Sequence, residues 1–202
     1  MGSSMQRFMA AIGVALLGLV LTGVAPLLAT AVAQSAEAET PARKARLDAL
    51  FAALQAAGGE AEAQEVVREI WETWTASGRD DVDLLMKQAG AGMQTRNFGV
   101  ASMLLDEVVE LAPGFAEGWN RRATLRFMMG DHAGSLADID KVLALEPRHF
   151  GALSGRAMIH TRAERWREAL DAYRAALGAN PFLADRHQLV PELERRAGEG
   201  RH

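Results

Sequence analysis

The sequence predicts an all-α fold, a stack of antiparallel helical hairpins closed by a C-terminal capping helix. Three observations lead there. The blocks 82–113, 116–147 and 150–181 align with no insertion or deletion, and their closing prolines, Pro113, Pro147 and Pro181, stand 34 residues apart. Each block carries a small residue, a bulky one four later, then a small or β-branched one three later: Ala101/Leu105/Val108, Ser135/Ile139/Val142 and Ala169/Tyr173/Ala176. Each also opens on a large apolar residue with a small one four places on, at Leu85/Ala89, Trp119/Ala123 and Leu153/Ala157. At helical spacing, small residues admit a neighbouring helix and bulky ones fill the gap beside it.

The chain divides in order. In residues 1–33 the one charged side chain is Arg7; an apolar core spans 10–24, and Ala31-Val32-Ala33 forms a small-x-small site. That is the pattern of a secretory signal peptide cleaved after Ala33. The alternative reading is an uncleaved membrane anchor, since the run 8–33 is long enough to span a bilayer. Residues 34–41 form a flexible spacer ending at Thr40-Pro41, an N-cap followed by proline at the first helical position. The segment 42–79 reads as a degenerate helical hairpin. Leu47, Leu50, Phe51 and Leu54 recur at helical spacing, Gly58-Gly59 ends the first helix, and the second carries Val67, Ile70, Trp71 and Trp74. Counting back one period puts Arg79 where a closing proline would stand, and the tryptophans read as packing residues. Asp80-Asp81 is expected to cap the first clear repeat. Three repeats follow, at 82–115, 116–149 and 150–182, with Arg96-Asn97, Gly130-Asp131 and Glu164-Arg165 at their internal turns. The segment 183–202 supplies a capping helix, interrupted or restarted at Pro191, and a tail.

The blocks resemble the tetratricopeptide repeat, whose pattern is W-x2-L-G-x2-Y, then A-x3-F, then P, over 34 residues. Gln88, Arg122 and Arg156 stand where that pattern has Leu; Gly92, Arg126 and His160 stand where it has Tyr; Ser135 replaces the second Ala. The resemblance implies a right-handed superhelix whose first helices line a concave groove. Carried over by register, the groove positions are Asp83, Met86, Met93 and Gln94, then Glu117, Asn120, Thr124, Phe127 and Met128, then Ser154, Met158, Thr161 and Arg162. Flexible thioethers and one aromatic suit an apolar stretch of peptide, with Glu117 and Arg162 orienting its polar parts. The competing reading has Met86 and Met158 filling gaps between hairpins. Tetratricopeptide co-chaperones hold a C-terminal carboxylate with a Lys/Asn/Lys/Arg clamp. At the corresponding positions this chain has Met86, Gly90, Arg121, Gly151 and Gly155, of which one is basic, so that clamp is not expected.

Composition narrows the functional class. Without residues 1–33 the net charge moves from −4 to −5, which gives no footprint for nucleic acid. The chain has no cysteine, so it has no disulfide, thiol catalysis or thiolate metal site. Ser154 in Gly151-Ala-Leu-Ser-Gly155 has the wrong spacing for a nucleophile elbow and falls within a helix. The histidines, His132, His149, His160, His187 and His202, form no i,i+4 pair or H-E-x-x-H motif, so no metal is implied. His160 reads as packing, His132 and His149 as solvated, and Asp138/Asp140 as a solvated helix face. No catalytic residue and no cofactor is implied.

The function expected is a non-catalytic interaction scaffold or adaptor, with a protein or peptide partner in the groove. The resemblance implies a small secreted or periplasmic bacterial protein. The alternative is a membrane-anchored structural subunit of an envelope assembly, which requires residues 8–33 to be retained. An envelope hydrolase, the third possibility, has no residue evidence.

Overall fold

A computed structural model describes residues 40–199; the expected leader at 1–33, the spacer up to 39 and the terminal residues 200–202 lie outside the described residues. The helices are α1 Pro41–Ala56, α2 Glu60–Thr75, α3 Asp80–Gln94, α4 Phe98–Leu111, α5 Ala116–Met128, α6 His132–Leu145, α7 Phe150–Arg162, α8 Trp166–Ala179 and α9 Arg186–Glu199. No strand occurs among the described residues.

Local chemistry sets the helix ends. Thr40 accepts the Arg43 amide at 3.2 Å, with Pro41 at the first helical position, so α1 starts where the sequence places it. The three hairpins turn identically. Arg96, Gly130 and Glu164 adopt left-handed backbone, with φ of 59°, 84° and 55°. The next residue's amide then bonds back across the turn, Asn97 to Gly92, Asp131 to Arg126 and Arg165 to His160, at 2.8–2.9 Å. These are Schellman closures repeated with the sequence period. Two expectations are corrected. Arg79, not Asp80-Asp81, is the N-cap residue of α3 and makes no side-chain cap; Asp80, Asp81 and Asp83 lie in the first turn, where they complement the dipole. Pro191 does not break α9, which runs through it from Arg186 to Glu199 and forgoes one intrahelical bond, that to the His187 carbonyl.

The repeat triplets are all buried, and they build the core between successive hairpins. Ala101, Leu105 and Val108 pack with Phe115 and Leu125; Ile139 and Val142 pack with Ala123, Ala152 and Ile159. Ser135, small but polar, donates to the Ala123 carbonyl at 2.8 Å and so is satisfied inside. A Cβ at Gly118 would lie 2.7 Å from Val108 Cγ1, so glycine is what lets α5 press on α4. At the far end Leu193 of α9 seals Ala157, Ala169, Leu170 and Tyr173, and Tyr173 donates to Asp185 at the start of that cap.

The hairpin α1–α2 departs from the stack. Its Leu47, Phe51, Leu54, Ile70 and Trp74 share a core with Phe150 and Ala179, and none of that core comes from α3 or α4. Repeat geometry explains this. Where the repeats place Ala89, Ala123 and Ala157 for close approach, this hairpin has Gln55. Gln55 instead donates to the carbonyls of Gly178 and Ala179 at 3.1 and 3.2 Å. Trp71 and Trp74 likewise exceed the volume of Leu105 and Val108, their counterparts in the next block. Gly78, at φ 79°, helps redirect the chain between α2 and α3.

Candidate functional site

The first helices α5 and α7 run side by side and leave a trough between them. Asn120, Thr124, Phe127, Ser154 and Met158 converge on a pocket of about 210 Å³, floored by Ala123, Ser135, Ile139, Ala152 and Ile159. Gly151 and Gly155 line α7 on this side and keep it open. The Arg162 guanidinium lies 5.3 Å from the Phe127 ring centre, over one wall. A second chamber of about 340 Å³ shares Gly151 and Ser154 with the first; Trp71, Val67 and Gln64 of α2 face Phe150, Asn180 and Phe182 across it.

The other expected groove residues do not join the pocket. Met86 and Met93 are buried in the α3–α4 core, so they fill space between helices and offer no surface. Met158 is different: it is 53% exposed, as a wall residue should be. Asp83 accepts the Ser77 amide at 2.9 Å, Gln94 and Met128 are exposed, and Thr161 donates to the Ala157 carbonyl. Glu117 is sealed below the trough, 2% exposed, accepting from Asn120 at 2.7 Å and Arg121 at 3.1 Å. The second chamber was missed because its near wall comes from the N-terminal hairpin. Gly151 was the available signal, since a Cβ there would stand 2.8 Å from the Trp71 ring.

Beneath α2 lies a buried polar junction. His149, expected in solvent, is fully buried, its ring stacked on Trp74 at 4.0 Å and 10°. It occupies the repeat position of Phe115, also buried, which is why a flat ring fits. Its Nδ1 accepts the Ala152 amide at 3.1 Å, which puts the proton on Nε2, 3.4 Å from Glu117 Oε2. Burial alone would push the Glu117 carboxyl up, but His149, Arg121 and Asn120 outweigh it and hold the group below its ordinary 4.5. His132 is half-buried beside Phe127, with ring centres 5.2 Å apart, so it too is not simply solvated.

Asp138 is a further correction. It is buried, accepting from Arg122 Nε and Nη2 at 3.0 and 2.9 Å, with Arg126 at 2.9 Å. Arg122 also reaches Asp106 at 2.8 Å, and one period on Arg156 donates to Asp140. The two arginines standing where the repeat pattern has leucine thus pair with carboxylates of the preceding helices, which accounts for both departures together.

A TPR repeat-containing protein of Rhizobium etli is 41% identical to this chain over 139 residues, spanning 65% of the chain and 68% of the relative. The chain belongs to the tetratricopeptide-repeat family. No protein-family profile matches it. Solved tetratricopeptide domains share the fold at low identity. The yeast Sti1 TPR2B domain, in a pHsp70 complex, has a TM-score of 0.53 at 17% identity, covering 61% of this chain and 100% of that one. The Arabidopsis OM64 TPR domain has a TM-score of 0.53 at 17%, covering 56% and 94%. The Sgt2 TPR domain of Aspergillus fumigatus has 0.55 at 17%, covering 60% and 82%. At the clamp positions of this tetratricopeptide protein, the one basic side chain, Arg121, is already engaged by Glu117.

Proposed function

We propose that this tetratricopeptide-repeat protein is a non-catalytic scaffold of the bacterial cell envelope, and that a protein partner lays an extended segment in its concave groove. The observation that carries the reading is the uncharged pocket between α5 and α7. Its apolar floor suits an apolar side chain, while Asn120, Thr124 and Ser154 can meet the backbone donors and acceptors of an extended peptide. The Sti1 domain was solved in a pHsp70 complex, but here Met86, Gly90, Gly151 and Gly155 stand at clamp positions and none of them carries a charge. An apolar segment therefore fits better than a highly charged tail. The envelope assignment rests on the leader pattern in residues 1–33.

Crosslinking in cells, followed by capture of the tagged protein beside a Phe127→Ala/Met128→Ala/Arg162→Ala form, tests the groove. A partner held by the wild type and lost from the variant is expected; a partner held equally by both moves the interface elsewhere. Fractionation tests the location. Release with the periplasm, lacking residues 1–33, is expected, whereas salt-resistant membrane retention with those residues intact favours an anchored subunit of an envelope assembly.

A further inference from the structure

The N-terminal hairpin does more than pack. We infer that α2 is a wall of the ligand site, and that one extended peptide places a first apolar side chain between α5 and α7 and a second in the chamber under Trp71. The inference rests on the groove reading above and assigns the part of the site that the repeats alone do not build.

Four observations support it. The two chambers share Gly151 and Ser154 of α7, so they lie side by side along that helix. Trp71, Phe150 and Phe182 make the second chamber aromatic on several sides, as a bulky apolar side chain requires. None of the residues lining either chamber is charged; amide and hydroxyl groups recur along both, Gln64 and Asn180 in the second chamber matching Asn120 and Thr124 in the first. Such groups both donate and accept, which suits a peptide backbone and not a phosphate chain. Last, Arg162 stands over Phe127 with no carboxylate partner among the described residues. Its charge selects an acidic residue beside the first anchor. The occupant is therefore an extended segment of a partner protein, with two bulky apolar side chains on one face and an Asp or Glu near the first.

The test uses the full chain and synthetic decapeptides in a Ser/Gly background. The peptides carry one or two leucines or phenylalanines at every spacing, with Asp or Lys at either end, and binding is read by fluorescence anisotropy. Peptides with two anchors at the matching spacing are expected to bind about tenfold more tightly than single-anchor ones, because the second anchor buries a further apolar side chain, less the cost of ordering it. Two exposed positions allow each chamber to be filled without disturbing the core. Gln64→Trp should erase the second-anchor gain, so that two-anchor peptides bind no more tightly than single-anchor ones, while Thr124→Trp should abolish binding of both. Arg162→Gln should remove the preference for Asp over Lys. If the second anchor adds nothing, or its gain survives Gln64→Trp, the second chamber is idle and this inference fails while the groove reading stands. If no peptide binds, or Thr124→Trp changes nothing, the groove reading fails as well. Self-association of the full chain that both tryptophan variants dissolve would put a second copy in the trough and overturn the peptide assignment.

Discussion

At the scale of single residues, buried charge decides more than the apolar pattern does. Glu117 is nearly fully enclosed, yet its carboxyl is held below 4.5 by His149, Arg121 and Asn120 against the upward push of burial. A carboxyl depressed on folding adds stability above its unfolded value and loses that stability as pH falls through the folded one. Glu117→Gln should therefore cost about 2 kcal/mol at neutral pH, as loss of hydrogen bonds to a charged group does. The variant should also show a shallower decline than wild type below pH 4.5, in urea midpoints measured across an acid series; parallel curves would mean that Glu117 does not titrate with folding. Arg122 offers a second case. Arg122→Leu restores the residue of the repeat pattern but leaves buried Asp138 with Arg126 alone, and is expected to cost about 3 kcal/mol. Arg122→Leu/Asp138→Leu should recover most of that loss, because an apolar pair replaces the buried ion pair and the two charges it leaves unpaired, Arg126 and Asp106, both reach solvent. A double variant as unstable as the single one would mean that the leucines do not pack.

At the scale of elements, the turn shared by the three repeats carries its own test. Gly130 meets the left-handed requirement without strain, whereas Glu164 holds φ 55° with a side chain. Glu164→Gly should stabilise the protein by about 0.5–1 kcal/mol, the strain relieved less the extra freedom of the unfolded chain. The readout is a higher urea midpoint at an unchanged m-value. These turns, the stacked hairpins and the capping helix were legible in the sequence because their information is local: a period, small residues at contact positions and a proline closing each block. The docking of α1–α2 was not, since it depends on residues far away in the sequence, beyond the two neighbouring helices α3 and α4. Gln55 at an alanine position and His149 at the place of Phe115 were visible, but only the folded arrangement gives them Ala179 and Trp74 as partners. In the groove, Asn120, Thr124, Phe127, Ser154 and Met158 were reached by register alone. Met86 and Met93 were misplaced because thioethers serve equally as filler and as contact surface, and register does not separate the two.

At the scale of the whole molecule, the question is whether the chain behaves as a one-dimensional stack. In an open repeat array each unit touches only its neighbours, and unfolding spreads from an end. Here the N-terminal hairpin is joined to the last repeat and its cap, by Gln55 to Ala179 and by Arg186 to Glu60, across 124 and 126 residues of sequence. Trp74 stacked on His149 and Arg148 paired with Asp48 add to that seam. The α3–α4 hairpin therefore lies between two segments that hold each other directly, although the chain passes through it. Leu105 is fully buried in its core, and Leu105→Ala should cost about 3 kcal/mol, concentrated there. Native-state hydrogen exchange should then show protection lost from α3 and α4 while α1, α2, α7 and α8 keep theirs. A sequential stack would give the opposite order, with α1 and α2 released as soon as α3 opens. Loss of protection in α1–α2 together with α3–α4 would show that the seam is too weak to stand alone, and would leave the second chamber of the trough without a fixed wall.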